Sequence, residues 1–197
     1  MDPWILQPEW RARLALITLV ACFYTGVVVI SNELLFYWAA DTTYRYWFYP
    51  PAGVRLALIL LLGWPGLLGY FIAVLALVSG GIVLEDAEFY EAFWIALVRT
   101  LSIWLALIAY GAITQVKTPW EKLTWMHLPF LALFVSAISG AAAHLTRSAL
   151  GIDALDTLVR DVSLTVFGDT LGSIVVLSLV LWMRKAYREH ALKQLPS

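Results

Sequence analysis

Of 197 residues, 61% are apolar and only 14% charged, and the mean hydropathy is +0.79. A soluble domain carries nearer a quarter charged residues, so this composition excludes one and indicates an integral membrane protein of the lipid bilayer. The net charge of −1 argues against nucleic acid as a partner.

Residues 1–13 read as a short polar and aromatic head. The apolar run behind it is too long, and has no small-residue cleavage site, for a cleavable signal peptide. Residues 14–34 form the first expected span, closed by Asn32 and Glu33. It holds the single cysteine, Cys22, which has no partner for a disulfide or a metal cluster. Residues 41–49 are an aromatic loop. Pro50 and Pro51 have no backbone N–H, and Pro51 suits the first turn of a helix, so a second span is expected over 51–62.

Twelve residues rise only about 18 Å, against a hydrocarbon core of about 30 Å. Three explanations stand side by side. The aromatic approach 44–49 lies within the membrane, the helix stops short of the far side, or a tilted helix sits in thinned lipid. The first two imply protein or water around the non-helical backbone, and hence a cavity near residues 50–53.

Trp64-Pro65-Gly66 reads as a tight turn, and residues 67–84 as the third span. An acidic loop follows, with Glu85, Asp86, Glu88 and Glu91. The fourth span, 93–114, carries Arg99. A polar loop holds Lys117, Pro119, Glu121 and Lys122. The fifth span, 126–146, carries His144 near its end. Asp153, Asp156 and Asp161 look like a solvated loop face. The sixth span, 162–183, carries Asp169, and a short basic tail follows with Arg184, Lys185, Arg188 and Lys193. The expected fold is thus an all-α polytopic bundle of six transmembrane helices in one membrane domain, 1–197.

With the amino terminus inside, eight Lys and Arg fall on the inner side (Arg11, Arg13, Lys117, Lys122 and the four of the tail). Three fall outside: Arg45, Arg147 and Arg160. This bias places both termini in the cytoplasm, with the tail as an anchor on anionic lipid.

Charged groups inside a membrane need a partner, water or a ligand. Arg55, Arg99, His144 and Asp169 sit on four different spans, each within roughly 12 Å of the outer edge by helical rise. One reading is a polar pocket open to the outer face, with Asn32 and Glu33 at its rim. Two arginines against one aspartate suit a small anionic ligand, a carboxylate or a phosphate. The other reading is inert: Arg55 and Asp169 neutralise each other, and His144 is a hydrogen-bonded interior residue. Gly140 with His144, and Gly168 with Gly172, give small-residue faces for close helix packing.

Two stretches carry a family likeness. YPPAGVRLALILLLG followed by WPGLLGYFIA, and FGDTLGSIVVLSLVLW at 167–182, resemble the first membrane-associated sensor domain family. The matching positions are Pro51, Gly53, Trp64, Pro65, Gly66, Gly168, Asp169 and Gly172. The resemblance implies a bacterial inner-membrane sensory module, usually joined to a histidine kinase or a diguanylate cyclase. The expectation here is a stand-alone module, shorter than usual, that signals through a separate partner.

A second reading is the substrate-binding subunit of a small-molecule uptake transporter. It shares the size, the span number and an outward pocket, and differs in docking on an energising transporter partner. A third is a structural membrane assembly factor. No enzyme, metal or cofactor is expected. Cys22 has no base beside it, and His127 and His144 are 17 residues apart without a carboxylate at helical spacing.

Overall fold

The computed structural model describes residues 8–35, 40–41, 45–84, 87–114 and 125–193. Residues 1–7 of the expected head, Glu85 and Asp86, and the polar loop with Lys117, Pro119, Glu121 and Lys122 lie outside them, while residues 8–13 of that head are already helix. Among the described residues the chain is helical apart from short connections. Helix α1 spans Pro8–Ile30 and widens into a π-helical turn at Ser31–Leu35. Two-residue strands β1 (Ala40–Asp41) and β2 (Arg45–Tyr46) pair antiparallel. Then come α2 (Pro50–Leu62), α3 (Trp64–Ser79), α4 (Phe89–Thr114), α5 (His127–Ala149), a single 3-10 turn at Leu155–Thr157, and α6 (Leu158–Lys193). Four helices, α1, α4, α5 and α6, are long and apolar enough to cross a membrane, while α2 and α3 are apolar but shorter.

The packing runs α1 on α3, α3 on α4, α4 on α5 and α5 on α6, with α2 lodged between α6 and α3. Helix α2 is buried on nearly every side: Pro51, Ala52, Gly53, Arg55, Leu56, Ala57, Ile59 and Leu60 are all inside. That fits a sequence apolar at nearly every position but Arg55, since a helix apolar all round is a core helix. In lipid, association rests on shape fit rather than on water release, so stability concentrates where backbones come close. Gly69 is such a place, with Ile17 and Val20 of α1 against it.

The start of α2 shows why it is short. The Tyr49 N–H donates to the Gly168 carbonyl at 3.1 Å. Gly168 lies ten steps into α6, about 15 Å from its first residue. Helix α2 therefore begins about half-way down the bundle and covers only the half that ends at Gly63. The aromatic approach packs above it: Trp47 meets Phe167 of α6 edge-to-face at 6.2 Å. The described part of the aromatic approach thus packs beside α6.

A helix start placed this deep would strand backbone donors away from water. Two of them do not exist, because Pro50 and Pro51 have no N–H. The Ala52 N–H donates to the Tyr49 carbonyl at 3.1 Å, and Tyr49 itself is held by Gly168. Residues 49–53 and α6 come into close contact at two glycines. A Cβ on Gly172 would collide with the Tyr49 carbonyl, and one on Gly53 would lie 2.6 Å from the Gly172 carbonyl and from Val176 Cβ.

Several expected boundaries move. Trp64-Pro65-Gly66 is not a turn but the first turn of α3, where a proline is well placed. The reversal is made by Gly63 alone, at φ 62°, a conformation that favours glycine. Helix α3 ends at Ser79 rather than 84, closed by Gly80 and by Gly81 at φ 71°, with the Ile82 and Val83 N–H groups donating back to the Leu77 carbonyl. Helices α4 and α6 each begin four residues earlier than expected, at Phe89 and Leu158. The basic tail is not separate, because α6 continues through it to Lys193. The aspartates of the α5–α6 connection are not one solvated face: Asp161 is fully buried and accepts from the Thr157 hydroxyl at 2.8 Å.

Candidate functional site

Side chains on a helix lean toward its N-terminus. The Arg55 side chain therefore runs back along α2 toward the level where α2 meets α6. There its Nη2 donates to Asp169 Oδ2 at 2.5 Å, with both side chains almost wholly buried (2% and 5% exposed). The same nitrogen donates to Ser139 Oγ of α5 at 3.3 Å, and Nη1 to the Tyr70 hydroxyl of α3 at 3.5 Å. One guanidinium thus ties α2, α3, α5 and α6 together. Tyr24 of α1 adds a fifth helix, packed edge-to-face on Tyr70 at 5.0 Å. The contact to Asp169 is through one nitrogen rather than a two-pronged fork, and Arg55 Nε has no partner among the described residues.

Asp169 is deeper than expected. Because α6 begins at Leu158, Asp169 lies about 16 Å along it rather than within 12 Å of the end. A bare charge at that depth costs several kcal/mol, and the ion pair with its added hydroxyls removes most of that cost.

Arg99 of α4 is half-buried. It stands within Coulombic reach of the Tyr49, Tyr24 and His144 side chains. Its guanidinium makes no hydrogen bond or ion pair with any described residue; only its backbone carbonyl is engaged, by the Ser102 hydroxyl at 2.9 Å. On the same turn, Thr100 Oγ1 is buried and has no partner among the described residues.

His144 does not join the Arg55–Asp169 pair. It sits near the end of α5, with Nδ1 3.1 Å from Asp153 Oδ2 and Nε2 2.9 Å from Thr165 Oγ1 of α6. Arg147 Nη2 holds the other Asp153 oxygen at 2.9 Å. This network fastens the α5–α6 connection across both helices. Asn32 lies in the π-helical turn of α1 with its buried Oδ1 unpartnered among the described residues, and Glu33 beside it is exposed.

The residues expected to form one cluster therefore divide. Arg55 and Asp169 are bonded, Arg99 bonds to neither, and His144 belongs to a second network. The matching motif positions explain the first group. Gly53 and Gly172 bring α2 and α6 close enough for the pair, Gly168 offers its carbonyl to Tyr49, and Pro51 makes the buried helix start possible. Pro65 and Gly66 serve the other end of α2, where a Cβ on Gly66 would collide with the Leu58 carbonyl.

Sequence reasoning missed Tyr24, Tyr49, Tyr70, Ser139 and Asp153. Tyr24 and Tyr70 are core residues, 3% and 0% exposed. Their mid-helix positions were the signal, because a phenol far from an interface requires an internal partner. Ser139 falls three residues after Ser136 on the same buried face of α5, which was also legible.

No curated protein and no solved structure matches the chain. A family model does: MASE1, over residues 15–197. That match spans both motifs, the Arg55–Asp169 pair and the second network. With its apolar helices, the protein is a multi-pass membrane protein, and the chain belongs to the MASE1 family of membrane-associated sensory domains.

Proposed function

We propose that the chain is the sensory module of a bacterial inner-membrane signalling system. The Asp153 end faces outward, and the Gly63 end and both termini are cytoplasmic. It takes a small ligand from the outer side and passes the change to a histidine kinase or diguanylate cyclase. The single observation that carries this reading is the joint between α2 and α6 at Tyr49–Gly168 and Arg55–Asp169.

From Asp169, α6 runs unbroken to Lys193, about 36 Å by helical rise. A ligand that binds one arrangement of this joint better than another shifts the position of the basic end of α6. Membership of a sensory-domain family supports the reading, and the Lys and Arg bias supports the orientation.

Cells lacking the chain test it. Sensing requires that their signalling output, read as kinase-dependent transcription or cyclic dinucleotide level, changes while nutrient accumulation stays at the wild-type level. Unchanged signalling with failed accumulation of one nutrient would replace this reading with the uptake subunit.

A further inference from the structure

The Arg55–Asp169 pair closes on itself, so the positive charge left over inside the bundle is that of Arg99. It is carried on a helix of 26 residues that is apolar along most of its length. Arg99 lies ten steps from Phe89, about 15 Å along α4. An arginine side chain extends roughly half that distance, so snorkelling from this depth leaves the guanidinium short of the helix end. Among the described residues no carboxylate meets it, and the residue is only half-buried.

An intramembrane cation without an internal counter-charge needs an anion or water. The Tyr49 and Tyr24 phenols lie within Coulombic reach of it, and the next residue of α4, Thr100, has a buried hydroxyl with no partner among the described residues. Phenol and alcohol hydroxyls with a guanidinium are donors for oxyanions, and the planar guanidinium engages two oxygens of a carboxylate or phosphate at once.

Resting on the sensory reading above, we propose that Arg99 is the anchor of an anion-binding site for a carboxylate or phosphate group, and that Arg55 is a structural residue rather than a ligand contact. Tyr49 links the two. It stands near Arg99, and its backbone is the point where α2 hangs from α6. An anion drawn to Arg99 therefore acts beside the joint. The group arrives either on a free solute or on a lipid headgroup.

The test uses the whole chain in neutral detergent, with melting followed against inorganic phosphate, acetate and citrate at constant ionic strength. A second arm uses nanodiscs of phosphatidylcholine with and without phosphatidylglycerol. At saturation one probe raises the wild-type melting point by roughly 5 °C. Arg99→Gln loses that shift and keeps its unliganded melting point, whereas Ser139→Ala, which trims a contact of Arg55, keeps the shift.

A response to phosphatidylglycerol alone assigns the anion to a headgroup, and a response to a solute assigns it to a free ligand. Silence in both arms, or an undiminished shift in Arg99→Gln, overturns the site. Should Arg99→Gln fail to fold, Arg99→Lys replaces it, where a weakened shift is expected and an unchanged one overturns the proposal. The deletion phenotype is read separately, so sensing can stand while the anion site falls.

Discussion

The backbone N–H of Tyr49 donates to the carbonyl of Gly168 at 3.1 Å, and this bond suspends α2 from the first third of α6. It joins the two stretches that carry the family likeness. Each stretch makes sense only beside the other: the prolines remove donors that could not be satisfied at that depth, and Gly172 clears the space the Tyr49 carbonyl occupies.

Gly172→Ala should therefore be costly. The new methyl meets backbone, which cannot rotate away, so α2 must move. We expect a loss of at least about 2 kcal/mol, read as a lower melting point in detergent. Gly26→Ala is the control, because nothing lies within 4 Å of a Cβ there. It should be neutral or slightly stabilising, since alanine is the better helix former.

The Arg55–Asp169 pair should behave as a unit. Arg55→Met or Asp169→Leu alone strands a buried charge, with an expected cost of about 3–5 kcal/mol. The double variant removes both charges and should lie much closer to the wild type than either single one. Equal losses in the double and single variants would mean that the pair is not the source of the effect.

Pro51→Ala tests the buried helix start. The substitution introduces an N–H in a position with no acceptor at hand. An unsatisfied buried donor costs about 1–3 kcal/mol, and the melting point should fall accordingly. A variant as stable as the wild type would show that water reaches this backbone.

Asp153→Asn should loosen the α5–α6 connection. It removes the charge that holds Arg147 and turns one of the two acceptor oxygens, which face Arg147 and His144, into a donor. Hydrogen exchange should quicken over residues 150–157 and stay unchanged around Arg55. Uniform quickening through the bundle would give Asp153 a global role instead.

Orientation is open to labelling. In a Cys22→Ser background, Asp156→Cys should react with an impermeant maleimide in intact spheroplasts, and Lys185→Cys only after lysis. The reverse pattern would invert the bundle and put the Arg99 site on the cytoplasmic side.

The sequence by itself determined the class of protein, because composition alone decides whether a chain is at home in lipid. It also placed every one of the six helices approximately, since apolar runs and proline–glycine breaks are local properties. It singled out Arg55 and Asp169, because a charge in an apolar run is visible without a structure. Helix ends were less legible: whether Trp64-Pro65-Gly66 turns or opens a helix depends on the one residue before it.

Only the tertiary structure decided which charge meets which. Arg55 and Asp169 are 114 residues apart, and no local pattern reports a contact at that separation. The same holds for the depth of α2. Its length was readable, but its starting level is set by a backbone bond to a distant helix. His144 was expected with the arginines by depth alone, yet it turned to Asp153, because the fold brings that loop back across α5. Depth along a helix is a one-dimensional coordinate, and packing fixes the other two.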